Sequence, residues 1–322
     1  MANTSATGAL LPFAHRRARG AGFESFFHYA CWAAATILLC AMAGVCVLLA
    51  VGGWPAISTF GLSFFTSTVW NPVTDVYGGA GPILGTLITS VIALLLALPL
   101  AFFTAVFLTE FCPHRLRRPI GIAVELLAGI PSIVYGMWGL FVFAPLFATY
   151  IETPVMAWAA PGTIWERLFS GIPNGSGILT ASIILAIMIL PFIAATMREL
   201  FLTIPPRVRE AAYGMGCTPL EAVWSVTLPY VRRSAIGAVM LGLGRALGET
   251  MAVTFVIGNS HHLPRGLFDS GATISSTIAN EFAEATSQMH TSALLALGFV
   301  LFLITFLVLA LARALLGHGH NA

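Results

Sequence analysis

Residues 210–249 read EAAYGMGCTPLEAVWSVTLPYVRRSAIGAVMLGLGRALGE, and two chemistries lie side by side in them. The half through Pro229 alternates short amphipathic runs with turn formers. The half after it is an apolar helix that carries Arg245 and Glu249 in its interior. A water-facing hairpin that runs straight into a charged apolar helix suits a chain living mostly in a bilayer.

Composition agrees. Of 322 residues 58% are hydrophobic and 9% charged, whereas soluble domains carry about 25% charge. The net charge of +2 is too small to suggest nucleic acid. All fifteen basic residues are arginine. Without lysine there is no Walker A loop, whose lysine contacts nucleotide phosphates, and no Schiff-base or lysine-nucleophile chemistry. The five cysteines form no CxxC pair and read as small hydrophobes. No metal site is expected, although His318 and His320 form a conceivable weak metal tail.

Six spans can be read outward from the hairpin: 29–51, 83–109, 120–148, 178–197, 236–258 and 292–311. The first exceeds the apolar stretch of a secretory signal, about 7–15 residues, so it reads as a retained span. With a cytoplasmic N-terminus, twelve arginines fall inside and two, Arg167 and Arg265, outside. That asymmetry sets both termini in the cytoplasm. The expected fold is an all-α integral membrane protein with six transmembrane helices in one domain, 26–313, between short cytoplasmic tails at 1–25 and 314–322. Proline interrupts several spans, and Gly129-Ile130-Pro131-Ser132 is the break most suited to function.

The longest cytoplasmic stretch, 198–233, predicts a helical hairpin. Pro205 and Pro206 suit a helix start, and Val208, Ala211, Ala212 and Met215 can form its apolar face, with Arg207, Arg209 and Glu210 on the polar edge. Gly214 and Gly216 permit a turn. Thr218-Pro219-Leu220-Glu221 is a capping box opening a second helix, which should end near Thr227 before Leu228-Pro229 re-enters the membrane. The mixed charges favour a protein partner over lipid headgroups.

Glu210-Ala211-Ala212, three residues, Gly216, nine residues, Val226, one residue and Leu228-Pro229 together resemble the EAA loop of ABC importer permeases. Valine stands where isoleucine is usual. The resemblance implies a type I ABC importer permease fold and a separate ATPase docked on this loop, which would bind the ATP and Mg that this chain cannot. No cofactor is expected in the chain itself, and it is not expected to be an enzyme.

Arg245 and Glu249 are costly where they stand, about 2.5–3.5 kcal/mol each at a span centre. Four residues apart on one helix, they lie roughly 40° apart around its axis, so that Glu249 can hold and partly neutralise the guanidinium. Arginine suits a tetrahedral oxyanion because its planar fork donates in pairs and stays charged. Gly244 and Gly248 form a small-xxx-small pair on the adjacent stripe for helix packing. A bridge made only for assembly remains the other reading of the charged pair.

The segment GLGRALGETMAVTFVIGN, with AGIPSIVYGMWGLFVFAPLF and STVWNPV, is similar to PstC-type permeases of phosphate-specific ABC importers over about 26–313. That resemblance implies phosphate passage at Arg245 and Glu249. It also implies a PstA-type second permease, two copies of a PstB-type ATPase and an extracytoplasmic PstS-type phosphate-binding protein. Glu110 and Glu125 fit the family pattern as gating or packing contacts. Sulfate or molybdate import, and a secondary anion transporter or channel without ATPase, are the alternatives.

Overall fold

The computed structural model describes residues 21–159 and 162–317. Most of the expected N-terminal tail, and the His318/His320 pair, lie outside the described residues. The architecture is helical throughout, apart from one small hairpin. In chain order it runs α1 (Ala21–Phe60), α2 (Ser63–Thr66), β1 (Trp70–Asn71), β2 (Val76–Tyr77), α3 (Ala80–Val106), α4 (His114–Ala128), α5 (Ser132–Trp138), α6 (Ala144–Phe147), α7 (Thr153–Trp158) and α8 (Ile164–Leu168). It continues with α9 (Ile178–Leu202), α10 (Pro206–Gly214), α11 (Pro219–Ala222), α12 (Leu228–Leu247), α13 (Met251–Val256), α14 (Ile274–Glu281) and α15 (Gln288–Gly317). Wider π turns at Gly139–Phe143, Ala148–Glu152 and Val223–Thr227 join neighbouring helices without breaking them, and one at Phe107–Phe111 extends α3 up to extended Cys112.

The chain divides into two compact units, one ending at Leu48 and one beginning at Leu49. The described part of the first is the opening of α1, apolar on all sides and largely exposed, as a span bathed in lipid should be. The second unit is built around α3 and α9. Ala93, Ala97, Ala101 and Ala105 recur every fourth residue of α3, and all four are fully buried in one cluster with Ile184, Leu185, Ile189 and Ile193 of α9. Lipid tails are as apolar as leucine, so helices associate here through close packing, which small residues allow.

Five helical stretches are long and apolar enough to cross a membrane: Glu24–Phe60, Ala80–Phe111, Ser132–Trp158, Ile178–Leu202 and Gln288–Ala314. Two expected spans need correction. The third was placed at 120–148, but α4 stops at the Gly129–Pro131 break and the crossing runs from Ser132 to Trp158. The fifth, expected unbroken over 236–258, is α12 followed by α13, broken at Gly248–Thr250, and is not among those five stretches.

In the second unit, Pro55 disturbs the ladder of α1, and Ser292 of α15 fills the gap. Its hydroxyl accepts from Ala56 N at 3.0 Å and donates to Gly52 O at 2.8 Å. A hydroxyl inserted into a helical ladder is one of the recognised ways to bend it.

Candidate functional site

Two interrupted helices meet inside the larger unit. At the first break, between α4 and α5, the Tyr135 hydroxyl reaches back and donates to Leu127 O at 3.0 Å. That carbonyl, in the last turn of α4, also accepts from Ile130 N at 3.3 Å. The second break separates α12 from α13 at Gly248–Thr250. Gly136 lets α5 approach α13 closely, since a Cβ there would stand 2.9 Å from Ala252 Cα.

Arg245 occupies the last turn of α12, where the helix dipole favours a cation. Its guanidinium carbon lies 5.7 Å from the centroid of the Phe192 ring on α9, within cation–π range. The Nε atom is buried without a hydrogen-bond partner. Glu249 is not where continuous helix would put it. Because α12 ends at Leu247, the two charges do not stack on one face, and among the described residues no ion pair joins them. Glu249 Oε1 instead accepts from Ala252 N at 3.2 Å and caps the first turn of α13. Among the described residues Arg245 therefore has no carboxylate partner, and its Nε no hydrogen bond.

Among the described residues, Gly244 and Gly248 pack against no other helix. A Cβ at Gly244 would meet nothing within 4 Å, and one at Gly248 only Gly244 O at 3.6 Å. Close approach falls to Gly242, where a Cβ would stand 2.6 Å from Ile193 Cδ1. Four-residue spacing singles out Gly244 and Gly248 and passes over Gly242.

The hairpin forms as expected at its ends and differs between them. Pro206 opens α10, and Gly216 closes it with φ +89°. Gly216 N donates to Tyr213 O at 3.0 Å and Cys217 N to Ala212 O at 3.2 Å, the paired bonds of a Schellman motif. The spacing from Ala212 to Gly216 is thus the spacing of a helix C-cap. The capping box forms too: Glu221 Oε2 accepts from Thr218 N at 2.8 Å and Glu221 N donates to Thr218 Oγ1 at 3.4 Å. The Thr218 backbone bond, then its hydroxyl, hold the Glu221 carboxyl below its ordinary pKa.

From Pro219 the helical path runs through the Val223–Thr227 π turn into α12, so Leu228 and Pro229 lie within it rather than at a separate re-entry point. The face of α10 also differs from expectation. Ala212 is buried and Val208 half-buried, but Glu210, Ala211 and Gly216 are exposed and Met215 is 77% exposed. Arg209, expected on the polar edge, turns inward. Its Nη2 donates to Phe201 O at 2.6 Å and lies 3.4 Å from Glu110 Oε1. The Tyr213 hydroxyl donates to Glu110 Oε2 at 3.1 Å. The inward arc is 208, 209, 212 and 213, because a buried carboxylate on the Phe107–Phe111 π turn draws two donors to it. Glu125 pairs with Arg198 at 2.7 Å, and Gly121 leaves room for that guanidinium.

Residues 79–316 match the family described as binding-protein-dependent transport system inner membrane component. The chain belongs to this family. It is 54% identical over 295 residues to a phosphate transport system permease protein PstC of Mesorhizobium japonicum, covering 91% of this chain and 90% of the relative. A protein of the same name from Pasteurella multocida is 54% identical over 275 residues, covering 85% and 86% of the two chains. Among solved structures, a bacterial ABC transporter for alginate import shares the fold at TM-score 0.55 and 16% identity, covering 88% of this chain and 96% of the other. The inward-facing MetNI methionine ABC transporter shares it at TM-score 0.50 and 19% identity, covering 74% and 94%.

The larger unit of this inner-membrane component also holds a polar knot that sequence reading missed. Glu281, at the end of α14, accepts from Trp70 Nε1 at 2.6 Å. His261 Nε2 lies 2.7 Å from its Oε1, and His290 Nε2 lies 2.9 Å from its Oε2. Trp70 stacks on His261 and Tyr77 on His290, with ring centroids 5.2 Å apart in each pair. Ser287 caps α15 through His290 N at 3.0 Å and donates to Asp75 Oδ1 at 2.7 Å. Burial pushes the Glu281 carboxyl up, but bonds from His261, Trp70 and His290 outweigh it and hold the pKa below its ordinary value.

Proposed function

We infer that this chain is the transmembrane permease subunit of an ATP-driven ABC importer that carries inorganic phosphate across the cytoplasmic membrane, with both termini cytoplasmic. The observation that carries the reading is Arg245: a guanidinium without an ion-pair partner among the described residues, at a helix break, in a protein whose relatives are named phosphate transport permeases. A half-buried arginine with a buried, unsatisfied Nε and no carboxylate partner is costly unless an anion visits it. Its fork matches phosphate oxygens two at a time.

In this reading the EAA hairpin docks on a PstB-type ATPase, present in two copies, which binds ATP and Mg²⁺ and supplies the energy. Exposed Met215, Leu220 and Trp224 give that docking face its apolar contacts. A PstA-type permease completes the membrane path, and a PstS-type binding protein delivers phosphate from outside. Alternating access then rocks the spans about the paired breaks. Glu249 holds the start of α13 in place beside the path, and its charge keeps Arg245 from trapping the anion, since conduction needs weak binding. Gly244 and Gly248 pack against the second permease.

The test is radiolabelled phosphate uptake in cells that depend on this importer, comparing wild type with Arg245→Gln and adding excess sulfate. Lost uptake with an intact complex, and no competition by sulfate, is the expected result. Unchanged uptake would remove Arg245 from the path, and strong sulfate competition would point to a broader oxyanion importer.

A further inference from the structure

We propose that Glu110 is a positioning residue through which movement of α10 is passed to α3. The proposal rests on α10 being the ATPase-docking helix and adds to that reading the point where force enters the membrane. Three observations carry it. First, the Glu110 side chain is only 7% exposed, although it sits at the end of a span beside a water-facing hairpin. A carboxylate kept from water in this way is costly unless it is paired and hydrogen-bonded. Second, α10 holds both of its oxygens, in different ways: the Tyr213 hydroxyl donates to Oε2 at 3.1 Å, and Arg209 forms an ion pair with Oε1 at 3.4 Å without a hydrogen bond. Arg209 also donates to Phe201 O in the last turn of α9 at 2.6 Å. One arginine of the hairpin therefore links the ends of the two helices that form the centre of the fold.

Third, Glu110 lies within the Phe107–Phe111 π turn, closed by Cys112 N donating to Phe107 O at 2.7 Å. Such turns shift the register of the residues after them and recur at functional sites. The other inward contacts of α10 come from Val208 and Ala212, which are apolar and set no register. The directional Tyr213 bond and the Arg209 ion pair to Glu110 do. Burial, and then the negative charge of Glu110, push the Tyr213 phenol above its ordinary pKa, so it stays a donor. Pulling or tilting α10 thus draws on α3 through Glu110, and α3 moves with the α9 face against which its alanine stripe is packed.

The test uses the whole importer in proteoliposomes, with both permeases, the ATPase and phosphate-loaded binding protein, measuring phosphate moved and ATP hydrolysed in the same preparation. Glu110→Leu should leave ATP hydrolysis near wild type and lower the phosphate moved per ATP by about tenfold, the size of losing one charge-assisted bond. Glu110→Gln, which keeps an acceptor for Tyr213, should recover part of the ratio. Tyr213→Phe should lower it less than Glu110→Leu, and it carries the test should the leucine variant fail to assemble. Transport and hydrolysis falling in proportion, or an unchanged ratio, would overturn the proposal. Absence of the ATPase from the wild-type complex would instead overturn the docking reading beneath it.

Discussion

Gly216, at φ +89°, shows how much one residue decides. A side chain in the left-handed region costs about 1–2 kcal/mol, and Gly216→Ala should weaken the hairpin by about that much. Gly214, two residues earlier, is helical with nothing within 4 Å of a Cβ, so Gly214→Ala should be neutral or stabilise by about 0.5–1 kcal/mol. Limited trypsin cleavage at Arg207 and Arg209 in the assembled complex would read the contrast, faster for the first variant and not for the second. Equal rates would remove the cap from the account. Both glycines are visible as turn formers in the sequence. Which one takes the left-handed conformation depends on where α10 ends, and that is set by bonds between Ala212 and Cys217. The Arg245–Glu249 pair fails for a related reason. Four-residue spacing stacks two side chains only while the helix continues, and it stops at Leu247.

Among elements, what was legible is what is local. The capping box at Thr218 and the break before Pro131 each follow from a few adjacent residues, and both are present. The break at Gly248–Thr250 contains no proline, and a glycine inside an apolar run equally suits continuous membrane helix, so it was not legible. The Glu281 knot was invisible because its members come from the β hairpin, the loop before α14, the end of α14 and the start of α15. Its contribution to stability has a definite sign. With a lowered folded pKa, Glu281 contributes fully above the ordinary glutamate value of about 4.3 and loses that contribution as pH falls through the folded value. Thermal unfolding of the complex should therefore show wild type more stable than Glu281→Gln at pH 7. The gap should close as the pH drops below about 4.3. A gap that stays constant to pH 3 would refute the assignment.

For the whole molecule, composition and hydropathy were enough to give a multi-span membrane protein, because solvent sets those properties over hundreds of residues, and the permease reading came from the resemblance of the EAA loop. The packing of the spans was not readable, since many small residues look alike in an apolar run and only the third dimension says which of them touches a neighbour. Gly242 and Gly244 make the point. A Cβ at the first would collide with Ile193, and one at the second meets open space. Gly242→Val should overpack the core by about 1–3 kcal/mol and lower the melting temperature of the chain purified alone. Gly244→Val should leave that temperature unchanged and reduce recovery of the second permease. Matching effects at the two sites would argue against a partner on this stripe. In terms of selection, the two glycines answer to different judges. Variants screened only for accumulation of this chain would keep glycine at 242 and let 244 drift. Variants screened for growth on scarce phosphate should hold both if a second permease sits on this stripe, and the difference between the two surviving libraries would then trace its outline.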